Sequence, residues 1–168
     1  MAKLQILIIH CTATPEGRKV TSDMIRKWHL KDRGWNQVGY ADMIHLDGKV
    51  ENLVPYNEDN IVDAWELTNG AVGMNSKSRH IVYVGGLEAD GKLAKDTRTP
   101  EQLKTLEAVV KNTIAKHPDI KVAGHNQFAQ KACPSFDVPA WLKAIGVESE
   151  NIYTVKPAPK AAAKPEKQ

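Results

Sequence analysis

An imidazole, an ammonium group and a thiol lie within nine positions of one another, in His125, Lys131 and Cys133. A neutral imidazole and a thiolate are both good zinc ligands, and zinc sites in proteins use three or four such groups. A third ligand must therefore come from a distant part of the sequence. His10 is the best candidate, because it follows the apolar run Leu4–Ile9 directly. Three protein ligands would leave one coordination position open, which is typical of catalytic zinc.

Spacing alone leaves another interpretation open. The chain has no CxxC pair and no HExxH helix, the better-known zinc spacings. His125 could be a surface histidine and Cys133 a buried free thiol, since free cysteine is often simply part of a core. Cys11 alternates to the opposite face of the strand from His10, so we predict that it is a core residue. A chain without a secretion signal also favours reduced thiols over a disulfide.

A mixed β-sheet is indicated by the strand patterns. Leu4–Cys11 is apolar on both alternations, which is typical of a strand covered on both faces by helices. Asp47–Gly48 is a strong signal for a two-residue hairpin turn, and a hairpin makes the sheet mixed. By alternation, Tyr40 and Ile44 should share one face of the first hairpin strand. The predicted strands are Leu4–Cys11, Tyr40–Leu46, Lys49–Leu53, His80–Val84 and Ile120–Ala123.

The helix from Thr99 to His117 has the clearest start signal in the chain. Thr99 fits the N-cap, Pro100 fits the first helical position, and Gln102 completes a capping box. Its predicted buried stripe consists of Leu103, Leu106, Val110 and Ile114. Two further helices are predicted, from Thr21 or Ser22 to about Asp32 and from near Pro139 to about Gly146.

Strands that alternate with helices predict a single α/β domain, with a mixed central β-sheet flanked by helices on both faces. We place this domain at residues 1–153. Residues 154–168 are rich in Lys, Ala and Pro and are predicted to be a flexible tail. His10 and His125 both lie at strand ends, where the sites of α/β proteins gather.

Composition argues against some classes of partner. The formal net charge is +3, but much of that excess lies in the tail, so the remainder is close to neutral and gives no support for nucleic-acid binding. No apolar segment of about 18 residues is present, so no membrane span is predicted. We see no signal-peptide pattern. The expectation is synthesis in the cytoplasm, with release or export by another route.

Four segments in this order resemble one known family. They are IIHCTAT at Ile8–Thr14, GWNQVGY at Gly34–Tyr40, YVGG at Tyr83–Gly86, and GH…KACPSFDV at Gly124–Val138. Together they are similar to the zinc-dependent N-acetylmuramoyl-L-alanine amidases of the bacteriophage T7 lysozyme type, relatives of the peptidoglycan recognition proteins. KACPSFD with its upstream GH is the specific part of the match, which covers roughly Leu4 to Ile145.

The resemblance implies a function and a set of residues. It implies one Zn²⁺ per chain held by His10, His125 and Cys133, and it places Tyr40 beside the metal. Such a zinc site lowers the pKa of water and polarises a carbonyl oxygen, which serves amide hydrolysis. Lys131 would stabilise the oxyanion, and Tyr40 would orient water or donate to the oxyanion. The bond cut would be the amide between N-acetylmuramic acid and L-alanine in peptidoglycan, and we expect a monomer.

One departure from the family and three alternatives accompany this interpretation. Phage-type members often carry a His-Ala-x-Gly-x-Asn run, and Gly70 stands where that histidine would be. This puts in doubt any substrate contact or proton role for that histidine. The alternatives are a non-catalytic peptidoglycan-binding module, a cysteine hydrolase that uses Cys133, and a nucleic-acid or polymerase partner.

Overall fold

The computed structural model describes residues 2–156. Most of the predicted tail, residues 157–168, lies outside the described residues, so its flexibility stays a prediction. The strands are β1 (Ala2–Lys3), β2 (Ile6–Cys11), β3 (Thr14–Pro15), β4 (Asp42–Ile44), β5 (Val50–Asn52), β6 (Ile61–Val62), β7 (Ser78–Tyr83), β8 (Gly86–Leu87) and β9 (Lys121–Gly124). The α-helices are α1 (Ser22–Arg26), α2 (Pro100–Lys116) and α3 (Val138–Ala144).

Five of these strands form the central sheet, in the order β5-β4-β7-β2-β9. The pairs β4–β7, β7–β2 and β2–β9 are parallel, whereas the β4–β5 hairpin is antiparallel. The sheet is therefore mixed, as the Asp47–Gly48 turn predicts. Two small two-stranded ladders, β1 with β6 and β3 with β8, lie outside it.

Helices cover both faces of the sheet, which confirms the predicted α/β fold. Leu7 and Ile9 of β2 pack in one cluster with α2 and α3, which contribute Leu106 and Leu142. On the other face, Ile25 of α1 packs with residues of β4 and β7. Every residue of β2 is buried, which explains why its sequence is apolar on both alternations.

Helix α2 begins as its capping box predicts. The Thr99 hydroxyl accepts the backbone N–H of Gln102, and the Gln102 side chain accepts the backbone N–H of Thr99. The predicted buried stripe is wrong at Leu103, which is 37% exposed. Gln102 is buried instead, because its amide donates to the carbonyl oxygens of Ile44 and Val84 in the sheet.

Two local predictions differ from the structure. The helix that starts at Ser22 does not remain α-helical to Asp32, because Lys27–Asp32 forms a π-helix. Tyr40 precedes β4 and packs with Met43, whereas Ile44 belongs to the cluster on the opposite face. Strand alternation therefore does not extend back to Tyr40. Among residues 2–156, no helix combines the length and apolarity that crossing a membrane requires.

Candidate metal centre

Two histidines meet because their strands are neighbours. His10 is the second-last residue of β2, and His125 directly follows β9. The parallel register pairs Ile9 with Gly124, so the next residue of each strand also lies side by side. The two imidazole rings are 4.6 Å apart between centres, and both side chains are buried. The sheet therefore brings together residues that are far apart in the sequence.

Cys133 reaches the same point from the segment between β9 and α3. Its Sγ lies 3.7 Å from Nδ1 of His10 and accepts the backbone N–H of Cys11 at 3.3 Å. The Cys11 side chain packs in the core cluster, as predicted, and both cysteines are free thiols. The strand end thus contributes a side chain and a backbone donor to one site.

Contacts to strands β7 and β8 and to Arg98 hold the Cys133 segment in place. The Tyr83 hydroxyl donates to the Pro134 carbonyl oxygen at 2.7 Å, and the Ser135 hydroxyl donates to the Gly86 carbonyl oxygen at 2.8 Å. Arg98 stacks over the ring of Phe136. All three contacts are made by the residues that directly follow Cys133, and they fix the position of its thiol.

The donor set fits a zinc ion. One ligand atom from each of His10, His125 and Cys133 lies within 4.8 Å of the others. Tetrahedral zinc, with bonds of about 2.0 and 2.3 Å, separates a nitrogen and a sulfur ligand by about 3.5 Å. The separation of 3.7 Å between Nδ1 of His10 and Sγ of Cys133 is close to this value. Nδ1 of His125 is buried and has no hydrogen-bond partner among the described residues, which leaves it available as a ligand.

Burial keeps the imidazoles neutral. It lowers the pKa of His10 well below 6.5, with a further contribution from the charge of His125. It lowers the pKa of His125 to about 4, assisted by the positive charge of Lys131. A neutral imidazole is the form that binds a metal. Both predicted histidine ligands are therefore in the neutral form that binds a metal.

The thiol is a poor nucleophile in this environment. Burial raises the pKa of Cys133 well above 9.0. No helix start lies at Cys133 to favour the thiolate, because α3 begins only at Val138. A metal cation would stabilise the thiolate, whereas a cysteine hydrolase would need a depressed pKa. The environment therefore argues against the cysteine-hydrolase alternative.

The two predicted catalytic side chains lie beside this centre. The Tyr40 ring centre is 5.2 Å from that of His10, and burial raises the pKa of the Tyr40 hydroxyl well above 10.0. That hydroxyl is therefore a hydrogen-bond donor. Lys131 is half-buried, and its charge lowers the pKa of both His10 and His125. The charge of Lys131 therefore acts on both candidate histidine ligands.

Sequence reasoning missed one buried histidine at this site. Nδ1 of His80, in β7, lies 2.9 Å from Nε2 of His10. The register pairs Ile8 with His80, so the two histidines point to the same face of adjacent strands. Alternation along each strand could have indicated that His80 faces the same side of the sheet as His10. That inference also needs the register between β2 and β7, which the sequence does not give.

His29 lies outside the candidate metal centre. It is a packed helix residue, as predicted, and is buried against Trp35 and Tyr40.

Comparison with known proteins identifies the family. Residues 1–136 match the family described as N-acetylmuramoyl-L-alanine amidase. The chain belongs to this family. It is 34% identical to the endolysin of Escherichia phage T7 over 135 residues. That alignment covers 80% of this chain and 83% of the endolysin. It is 34% identical over 140 residues to the endolysin of Enterobacteria phage T3, covering 83% and 86%.

Solved structures share the fold of the amidase. The endolysin amidase LysCS from Clostridium intestinale aligns with a TM-score of 0.67 at 22% identity, covering 87% of this chain and 86% of that chain. Bumblebee PGRP-SA aligns with a TM-score of 0.66 at 21% identity, covering 92% and 87%. The family match and the two endolysin relatives give the activity: N-acetylmuramoyl-L-alanine amidase activity, the hydrolysis of peptidoglycan at the amide bond to L-alanine.

Proposed function

We propose that the amidase hydrolyses peptidoglycan with one Zn²⁺ ion held by His10, His125 and Cys133. The observation that carries the proposal is the convergence of three buried ligand atoms within 4.8 Å. Two are nitrogens of neutral imidazoles, and the third is a sulfur that already accepts a backbone N–H. When bound, zinc supplies Lewis-acid activation of water and of the scissile carbonyl.

Tyr40 and Lys131 supply the chemistry that the metal does not. The Tyr40 hydroxyl stays protonated because it is buried, so it donates a hydrogen bond to oxygen as negative charge develops there. The Lys131 ammonium places a full positive charge near the same position. Fixed donors aimed at a developing oxyanion are often the largest single contribution to catalysis. Both groups thus stabilise the transition state and leave metal binding to the three ligands.

Metal content tests the ligand assignment. Native mass spectrometry of the purified protein should find about one zinc per chain, and His125→Ala or Cys133→Ser should lower occupancy sharply. Cys11→Ala is the matched control, because it removes the other free thiol and keeps the backbone N–H that donates to the Cys133 sulfur. Full occupancy in the Cys133 variant would remove that residue from the ligand set.

Product analysis separates hydrolysis from the binding-module alternative. Incubation with purified peptidoglycan should release new L-alanine amino termini without new reducing sugar ends. Reducing ends would indicate a glycosidase, and no new ends of either kind would favour a binding module. A chelator should stop the release of L-alanine amino termini, and added Zn²⁺ should restore it.

The setting of the activity is part of the proposal. The related phage endolysins favour action on the bacterial cell wall after release. We propose that the protein acts as a monomer. We also propose that it has no nucleic-acid partner, because the sequence outside the tail carries a net charge close to zero. Size-exclusion chromatography with light scattering tests the monomer, and a mass of two chains would contradict it.

A further inference from the structure

A chain of three hydrogen bonds runs from a loop backbone to a candidate metal ligand. The Ala71 N–H donates to Oδ1 of Asn75 at 2.9 Å, and Nε2 of His80 lies 2.9 Å from the same oxygen. Nδ1 of His80 lies 2.9 Å from Nε2 of His10. The other nitrogen of His10, Nδ1, faces the sulfur of Cys133 at 3.7 Å. The candidate metal position is thus linked to Asn75 through two imidazoles.

The Ala71 N–H, the first donor in this series of hydrogen bonds, fixes the direction of the other two. A backbone N–H can only donate, so the Asn75 atom that meets Ala71 is the carbonyl oxygen and only accepts. His80 must then carry its proton on Nε2, which leaves Nδ1 of the neutral ring as an acceptor. His10 must donate from Nε2. Its Nδ1 is consequently unprotonated and directs a lone pair toward Cys133.

We propose that His80 is a positioning residue for the metal centre, which selects the tautomer and ring orientation of His10 in which Nδ1 binds the metal. The inference rests on the proposed metal site. A histidine ligand usually donates its second ring N–H to a carboxylate, a carbonyl or water. Here a second imidazole takes that place, and Asn75 orients it in turn.

Gly70 leaves the space that the His80 ring occupies. A Cβ atom at residue 70 would lie 2.5 Å from Nδ1 of His80 and 2.6 Å from the Gly39 carbonyl oxygen. No side chain fits there without displacing the ring or the backbone. His80 is also completely buried, so water cannot replace its contact with His10. The missing side chain at residue 70 and the imidazole at residue 80 are therefore parts of one arrangement.

The test compares a substitution that keeps a hydrogen-bond acceptor with one that removes it. His80→Asn can place a carbonyl oxygen near the position of Nδ1, whereas His80→Leu fills the space without an acceptor. Loss of such a partner typically weakens metal affinity by about 10- to 100-fold. We expect His80→Leu to show this loss in competition titrations with Zn²⁺, and His80→Asn to recover most of it. His45→Leu, in a histidine that pairs with Glu51 on the hairpin, is the control and should bind Zn²⁺ like the wild type.

Equal losses in the two variants would show that His80 only fills space and would overturn the proposal. Unchanged affinity in His80→Leu would also overturn it. Long-range ¹H–¹⁵N NMR spectra of the zinc-loaded wild type provide a readout independent of any variant. They should show the ring proton on Nε2 of both His10 and His80, and a proton on Nδ1 of His80 would contradict the assignment.

Asn75 provides a second route if the His80 variants do not fold. Asn75→Asp keeps the acceptor oxygen, whereas Asn75→Leu removes it and leaves both imidazoles in place. Asn75→Leu should weaken Zn²⁺ binding and change the absorption of the Co²⁺-loaded protein, and Asn75→Asp should not. Equal Zn²⁺ affinity and equal Co²⁺ absorption in the two Asn75 variants would show that Asn75 does not orient His80. A wild type that binds no Zn²⁺ would overturn the proposed function together with this inference, whereas the variant results overturn the inference alone.

Discussion

The guanidinium carbon of Arg98 lies 3.4 Å from the centre of the Phe136 ring and 5.0 Å from that of Trp141. Asp96 holds this orientation, because its two carboxylate oxygens accept from Nε and a terminal nitrogen of Arg98 at 2.9 Å. Phe136 belongs to the segment that carries Cys133, and Trp141 lies in α3. Arg98 thus connects the loop before α2 with the segment that carries Cys133 and with α3.

Arg98→Lys should loosen that segment. Lysine keeps the charge but loses the planar stacking and the two parallel hydrogen bonds to Asp96. We expect a loss of about 2 kcal/mol in the free energy of unfolding, measured by urea denaturation, because the cation–π contact is desolvated. Zn²⁺ affinity should fall as well. Arg18→Lys, at an exposed position, is the control. Unchanged stability would show that Phe136 and Trp141 hold the segment alone.

Lys131→Ala should keep zinc and lose activity, because we propose that its ammonium group stabilises the transition state and does not bind the metal. Removal of one oxyanion donor typically costs about 100-fold in rate. Tyr40→Phe should behave similarly, and the double variant should lose less than the product of the two if both groups act on one oxyanion. Release of soluble peptidoglycan fragments measures the rate, with Lys143→Ala as the surface control. Zinc loss in either variant would indicate a structural role instead.

Removal of the metal should destabilise the fold. A ligand at about 1,000 times its Kd stabilises the folded state by about 4 kcal/mol, or about 10 °C in Tm for a chain of this size. A chelator should therefore lower the Tm of the wild type by about that amount in differential scanning calorimetry. Cys133→Ser should be nearly insensitive to the chelator, and Cys11→Ala should respond like the wild type. Equal chelator responses in all three would contradict the assignment of Cys133.

Acid should destabilise the fold through His29. Burial lowers its pKa from 6.5 to about 4, so its contribution to stability is present above about pH 6.5 and is lost as the pH falls toward 4. His29→Asn can keep an acceptor for the Gly39 N–H, which Nδ1 of His29 accepts at 2.9 Å. Between pH 7 and 5, the variant should lose up to about 2 kcal/mol less stability than the wild type. Parallel urea titrations at the two pH values measure this, and equal losses would contradict it.

The sequence by itself determined the strand with His10 at its end, the hairpin turn, the start of α2 and the family. These features depend on local patterns: alternation, turn residues, a capping box and motif spacing. The proposed ligand set came from motif spacing and the family resemblance, and the structure places one ligand atom from each of His10, His125 and Cys133 within 4.8 Å of the others. The burial of Gln102 in place of Leu103 did not follow, because hydrogen bonds to distant strands decide which helix face turns inward.

Only the tertiary structure decided which residues surround the candidate ligands. His80 meets His10 because the parallel register sets Ile8 beside His80, and register depends on pairing between strands that are distant in the sequence. Tyr40 lies outside the strand that its alternation suggested, so its neighbours could not be inferred from period two. The space beside Gly70 is defined by a ring from β7 and a backbone oxygen from residue 39. A local pattern specifies what a residue can do, whereas its partners are set by the packing of elements far apart along the chain.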